Sequence, residues 1–228
     1  MKNTIIRTFA DFFCPLRCIN CCAAGEIFCA RCRKYINLGF GRCLVCGAAL
    51  SNWKCQTCSA LPFDRQYCLG ERKGVLRELI NLYKYNSVRV AGDMLAELIL
   101  DGFDLDGILA PLPTISKHVR ERGFAHIERL AVSLCKFSRH KGRSRKTYIS
   151  CARVLKRVNS SVQVGSSAEQ RKDQASRAYE VAKGFNPDKH YVLVDDVWTT
   201  GSSMFAAAQK LRSLGAQCVD ILVIAKTV

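Results

Sequence analysis

Apolar positions along the chain follow two different patterns, and each predicts a kind of element. Val75, Leu76, Leu79, Ile80 and Tyr83 recur at helical spacing, and Val90, Met94, Leu95, Leu98 and Ile99 form a second such stripe. Phe124, Ile127, Ala131 and Leu134 mark a third helix. Met204, Phe205, Ala208, Leu211 and Leu214 mark a fourth, which Gly215 ends. Between these lie short unbroken apolar runs: Asp106 to Pro113, closed by prolines, Tyr191 to Val197, and Cys218 to Ala225. Runs without alternation suit strands buried on both faces. Helices alternating with such strands predict an α/β fold with a parallel sheet. Near the start, Ile5, Ile6, Phe9, Phe12 and Phe13 predict a short amphipathic helix over 1–13 whose apolar face serves packing. Val158 to Ser167 reads as a polar loop, and the only internal repetition evident is that of the cysteine pairs.

The segment 14–58 follows neither period. It is instead rich in cysteine, and Ala60-Leu61-Pro62-Phe63 closes it. This divides the 228 residues into a small module over 1–64 and an α/β domain over 65–228. Eight of the 14 cysteines form Cys-x-x-Cys pairs: Cys18/Cys21, Cys29/Cys32, Cys43/Cys46 and Cys55/Cys58. A two-residue gap on a tight knuckle brings both sulfurs to one metal ion, and two knuckles complete a closed Cys₄ site. The expectation is two structural zinc ions, bound either by consecutive knuckles or by alternate knuckles in a crossed arrangement. So short and aperiodic a segment needs metal to fold. Cys14 and Cys22 stand out of phase with the pairs, and Cys68, Cys135, Cys151 and Cys218 read as core thiols.

Residues 1–13 include Arg7 and Asp11 and lack the apolar stretch and small-residue cleavage site of a secretory signal. No run is long enough to span a membrane. The expected setting is a reducing cytoplasm, where thiols serve metals rather than disulfides. The net charge of +16 adds attraction for phosphates. Nine Lys and Arg residues and no Asp or Glu fall between Lys136 and Arg157. With Phe137 and Tyr148 nearby to stack on bases, Arg143, Arg145 and Lys146 become candidate contacts for single-stranded DNA. Arginines and lysines of the cysteine-rich module would add to them.

The most informative stretch runs from Val192 to Ser203. A buried strand ends in Asp195 and Asp196, and then Thr199, Thr200, Gly201, Ser202 and Ser203 lead into a helix. Backbone N–H groups at a helix start, with neighbouring hydroxyls, form a cradle for phosphate. Two carboxylates beside it would repel an anion unless they hold ribose hydroxyls or a metal ion.

This string resembles the phosphoribosyl pyrophosphate (PRPP) motif of type I phosphoribosyltransferases. Combined with the cysteine pairs, it is similar to the ComF family over nearly the whole chain. Phe9 to Cys18 resembles that family's opening before its first knuckle, and Leu82-Tyr83-Lys84-Tyr85 its lysine-bearing helix end. Ala110-Pro111-Leu112-Pro113-Thr114 and Arg120-Glu121-Arg122-Gly123-Phe124 look like its proline turn and Arg-Gly-Phe segment. Arg153, Gln163 and Arg171 match positions in and after a mobile loop. The chain departs from the family at Ala125 and His126, where Asn-Gln is usual, and at Gln174, where Asn is usual.

The resemblance implies a phosphoribosyltransferase-like fold preceded by a double zinc ribbon. It implies that Thr199 to Ser203 hold a 5′-phosphate, and that Asp195 and Asp196 hold ribose hydroxyls directly or through Mg²⁺-bound water. Pro111, Leu112 and Pro113 would form the pyrophosphate turn, with Arg120, Arg122 and Arg171 as partners of the pyrophosphate. Thr199 stands where purine-salvage relatives carry an Asp, which disfavours purine salvage. Three functions follow: a DNA-uptake protein binding PRPP-Mg and single-stranded DNA beside other uptake proteins, an active transferase with an unidentified nucleophile, or a zinc adaptor that docks proteins.

Overall fold

The computed structural model describes residues 16–34, 38–85, 88–114, 116–140, 149–158 and 178–227. The helix expected over 1–13, Cys14, Arg143, Arg145, Lys146, Tyr148, Gln163, Arg171 and Gln174 lie outside the described residues.

Five parallel strands form the central sheet: β3 (Gln66–Glu71), β4 (Gly107–Pro111), β5 (Ile149–Cys151), β8 (His190–Trp198) and β9 (Cys218–Lys226), in the order β3-β9-β8-β4-β5. Three of them are the unbroken apolar runs of the sequence. Val192, Leu193 and Val194 on β8, and Ile221 and Leu222 on β9, are 0% exposed, because both sheet faces are covered. On one face, helices α2 (Gly74–Lys84), α3 (Arg89–Gly102) and α5 (His126–His140) bury their stripes against Val192, Val194, Leu222 and Ile224. On the other, α6 (Ser202–Ser213) packs Met204, Ala207, Ala208 and Leu211 against Leu193, Ile221 and Val223. An antiparallel pair, β6 (Leu155–Arg157) and β7 (Tyr179–Val181), joins this second core.

The structure departs from the sequence reading in three places. The helix marked by Phe124 to Leu134 begins only at His126, as α5, and a separate helix that the apolar pattern does not mark, α4 (Ser116–Arg122), precedes it, with Phe124 between the two. Strands β3 and β5 carry too few apolar residues in a row to announce themselves. The scattered cysteines are not all core thiols: Cys68 is buried, Cys135 and Cys218 are half-buried, and Cys151 is exposed at the end of β5.

The cysteine-rich segment, which carries the short antiparallel pair β1 (Leu50–Ser51) and β2 (Lys54–Cys55), covers the sheet edge that β3 would otherwise leave open. Gly39 N–H donates to Leu69 O (3.1 Å) and Phe40 N–H to Cys68 O (2.7 Å), so the chain around them occupies hydrogen-bonding groups that an edge strand exposes. Gln66, 1% exposed at the start of β3, ties the two parts further: its Oε1 accepts from Leu44 N–H (2.8 Å) and its Nε2 donates to Cys43 Sγ (3.4 Å). Arg33, at the end of the short helix α1 (Ala30–Arg33), pairs with Glu97 of α3 at 2.7 Å.

Candidate functional site

The knuckles pair consecutively. Cys18, Cys21, Cys29 and Cys32 converge in one group, and Cys43, Cys46, Cys55 and Cys58 in another. A tetrahedral Zn–S length of about 2.3 Å requires sulfurs about 3.8 Å apart. Cys21–Cys29 and Cys46–Cys55 stand at 3.6 Å and Cys43–Cys58 at 4.0 Å, so the donor sets fit zinc. Val45 N–H points at Cys43 Sγ and Cys58 N–H at Cys55 Sγ, as knuckle amides do toward thiolates.

The two groups are copies of one unit. Arg17-Cys18-Ile19-Asn20-Cys21-Cys22-Ala23-Ala24 matches Arg42-Cys43-Leu44-Val45-Cys46-Gly47-Ala48-Ala49 at an offset of 25. The backbone repeats with it: Arg17 bridges Ala24 as Arg42 bridges Ala49, and Cys18 N–H donates to Ala23 O as Cys43 N–H does to Ala48 O. Gly47 (φ 76°) and Cys22 (φ 59°) take the same left-handed turn. The sequence reading saw the pairs and missed the longer repeat, although its letters were there. The surroundings differ: Cys18, Ile27, Phe28 and Cys32 enter the main core, whereas in the second group Leu44 enters the other core and Cys46 is exposed.

The second site lies where β4 ends beside β8, with Pro111 in register with Val194; β8 does not end at its acid pair, as expected from sequence, but runs on to Trp198. From there the chain continues through α5 to β5 on one side and through α6 to β9 on the other. This divergence leaves a crevice beyond the carboxyl ends of the strands, where open α/β sheets take ligands. The crevice is lined by Leu112, Pro113 and Thr114 after β4, by Asp195, Asp196 and Ser203, and by Lys84, Arg122, His126, Arg157 and Tyr179. Pro111 is the last residue of β4 and buried, and Leu112 N–H donates to Val194 O at 2.9 Å.

A smaller hollow adjoins it, lined by Asp195, Trp198, Thr199, Gly201, Ser202 and Ser203. Thr199, Thr200, Ser202 and Ser203 are exposed there. Gly201 has φ 75°, and a Cβ on it would lie 2.2 Å from the Trp198 ring, so only glycine fits this turn. The first turn of α6 holds no acidic residue, which leaves its positive end uncompensated by the helix itself.

The two carboxylates differ in their surroundings. Asp196 is buried, and its Oδ2 meets both Lys84 Nζ and His126 Nε2 at 2.5 Å. Burial alone would raise its pKa, but the His126 hydrogen bond and the Lys84 charge outweigh it and hold the group at about 2. Asp195 makes no such side-chain contact among the described residues. Its Oδ1 accepts from Asp196 N–H (2.8 Å), while burial and the neighbouring Asp196 charge push its pKa up to about 7. His126 is itself 3% exposed and bridges Asp196 to Arg122, whose Nη1 is 3.2 Å from Nδ1. Arginine only donates, so Nδ1 accepts and Nε2 carries the hydrogen toward Asp196.

Among the residues expected at the site, Asp195, Asp196, Ser203, Leu112, Pro113 and Arg122 line the crevice. Arg120 is exposed on α4 and is not among the lining residues. Lys84, His126, Arg157 and Tyr179 were not assigned to the site from sequence. Lys84 belongs to the Leu82–Tyr85 motif, and His126 is one of the departures from the family pattern. The basic run from Lys136 to Arg157 is not one surface: Arg157 turns into the crevice, Arg153 pairs with Glu128 at 2.6 Å, and Phe137 packs against the core instead of standing free to stack.

No protein-family model matches the chain. It is similar to Competence protein F of Haemophilus influenzae, with 25% identity over 229 aligned residues that cover 92% of this chain and 96% of that protein. The two Cys₄ groups fit a zinc ribbon, and the parallel sheet fits a phosphoribosyltransferase-like fold. No helix among the described residues is long and apolar enough to cross a membrane.

Proposed function

We propose that this distant relative of Competence protein F is a ComF-like protein that acts in DNA uptake, binding a phosphoribosyl pyrophosphate-type ligand in the crevice at Asp195 to Ser203 and single-stranded DNA through its positive charge. The observation that carries the reading is the meeting of an acid pair near the carboxyl end of β8 with the uncompensated start of α6, where the connections leaving β4 and β8 diverge. The ligand's phosphate is received by the turn from Thr199 to Ser203. Its ribose hydroxyls meet Asp195, the carboxylate not already held by Lys84 and His126. The pyrophosphate lies toward Leu112 to Thr114, with Arg122 and Arg157 at hand.

A Mg²⁺ ion suits the Asp195 side of the crevice, where it would neutralise pyrophosphate charge. Asp196 is the poorer donor, because Lys84 and His126 already occupy its outer oxygen. A second reading, transfer of the phosphoribosyl group to an amine or base, draws on the same crevice, which gathers acids and cations around one space.

Titration calorimetry with PRPP and Mg²⁺ tests the binding. Asp195→Asn leaves the Lys84–Asp196–His126 contacts in place and is expected to weaken binding at least about tenfold, as loss of a charge-assisted contact does. Unchanged affinity in that variant would overturn the assignment. Release of pyrophosphate over a panel of nucleophiles decides for or against transfer.

A further inference from the structure

The opposite end of the sheet carries a second constellation. There β8 begins at His190 and β9 at Cys218, and these two residues are in register. Asp220 lies two residues farther along β9, on the same face as Cys218. One imidazole nitrogen, one thiol and one carboxylate oxygen thus meet within 4.8 Å of one another.

We propose that His190, Cys218 and Asp220 form a third metal site, an open one, for a borderline divalent ion such as zinc or cobalt. The donor set selects the ion class: thiolate and imidazole favour zinc-like metals, whereas Mg²⁺ and Ca²⁺ call for oxygen donors. Three protein ligands leave the fourth tetrahedral position to water, unlike the two closed Cys₄ groups.

The supporting contacts are in place. Asp220 is 1% exposed, and its Oδ1 accepts from Arg65 N–H at 3.0 Å, which turns Oδ2 toward His190 Nε2 at 2.9 Å. Such a hydrogen bond orients a ligating carboxylate. Nearby Asp64 accepts at Oδ2 from Arg212 Nη2 (2.7 Å) and Val219 N–H (3.0 Å) and also hydrogen-bonds the Cys218 thiol, a contact that the thiol gives up when it binds the ion. His190 remains partly exposed, and the ion can enter from solvent. On loading, the metal replaces the hydrogen between Nε2 and the carboxylate. The imidazole proton passes to Nδ1, the Cys218 thiol proton goes to solvent, and the metal–sulfur bond forms.

Cobalt titration of the full chain, with zinc retained in the Cys₄ groups, tests the site. The expected result is one Co²⁺ bound per chain, with a thiolate-to-cobalt charge-transfer band and zinc still at two ions. Cys218→Ser should abolish the band, and His190→Gln should weaken Co²⁺ binding at least about tenfold, both without loss of zinc. Should Cys218→Ser fail to fold by circular dichroism, His190→Gln decides. No Co²⁺ uptake by the parent overturns the proposal, and so does an equally strong band or unchanged affinity in the folded variants, which would place the cobalt in the ribbons.

Discussion

His126 Nε2 lies 2.5 Å from Asp196 Oδ2 across 70 positions of sequence, and both side chains are buried. Arg122 behind the ring sets its tautomer, and Lys84 shares the same carboxylate oxygen. The acid pair near the end of β8 is therefore split into one carboxylate locked into the fold and one left facing the crevice.

Removing the His126 donor should cost stability by leaving Asp196 short of a partner. His126→Leu is expected to lower the unfolding free energy by about 1–3 kcal/mol, the cost of an unsatisfied buried group. His126→Gln keeps an N–H donor and should lose less. Urea denaturation of the two variants measures the difference, and equal losses would show that ring packing, not the hydrogen bond, matters.

Asp195 should make stability fall as pH rises. Its folded pKa of about 7 lies above the unfolded value of about 4. Between the two, the folded chain holds a proton that the unfolded chain has released, so deprotonation favours unfolding. Asp196 acts in the other direction and lower, with stability lost as pH falls from about 4 toward about 2. Thermal melts from about pH 5 to about pH 8 should show a shallower decline in Asp195→Asn than in the parent.

Individual cysteines of the Cys₄ groups should differ in their weight. Cys18 is 1% exposed and part of the main core, and its counterpart Cys43 is 0% exposed, whereas Cys46 is exposed. Metal analysis should find one zinc ion fewer in Cys18→Ser and in Cys46→Ser alike. The melting temperature should fall farther in Cys18→Ser, because loosening the first knuckle also releases Phe28 and Ile27 from packing against the sheet and its helices.

Single-stranded DNA binding should weaken linearly on a log–log scale as salt rises, with each phosphate contact removed lowering the slope by roughly 0.7. Changing Arg143, Arg145 and Lys146 together to Ala should flatten it by up to about 2 units and leave the zinc content unchanged. An unchanged slope would assign the contact to other cations. Arg157 and Arg153 are poor choices for that test, since the crevice and Glu128 already engage them.

The sequence by itself determined what depends on neighbours along the chain. Two-residue gaps between cysteines dictate knuckles, unbroken apolar runs dictate strands covered on both faces, and the acid pair followed by hydroxyls and Gly201 dictates a strand, a turn and a helix start. Even the 25-residue repeat of the ribbons was written in the letters from Arg17 to Ala24 and from Arg42 to Ala49. Only the tertiary structure decided which knuckles come together, because the spacings allow either pairing. It alone brought Lys84 and His126 to one oxygen of Asp196, turned Arg157 into the crevice, and set His190 beside Cys218 and Asp220. These meetings depend on strand order and register, which arise when distant segments bury their apolar faces together and leave no periodic mark near the residues concerned.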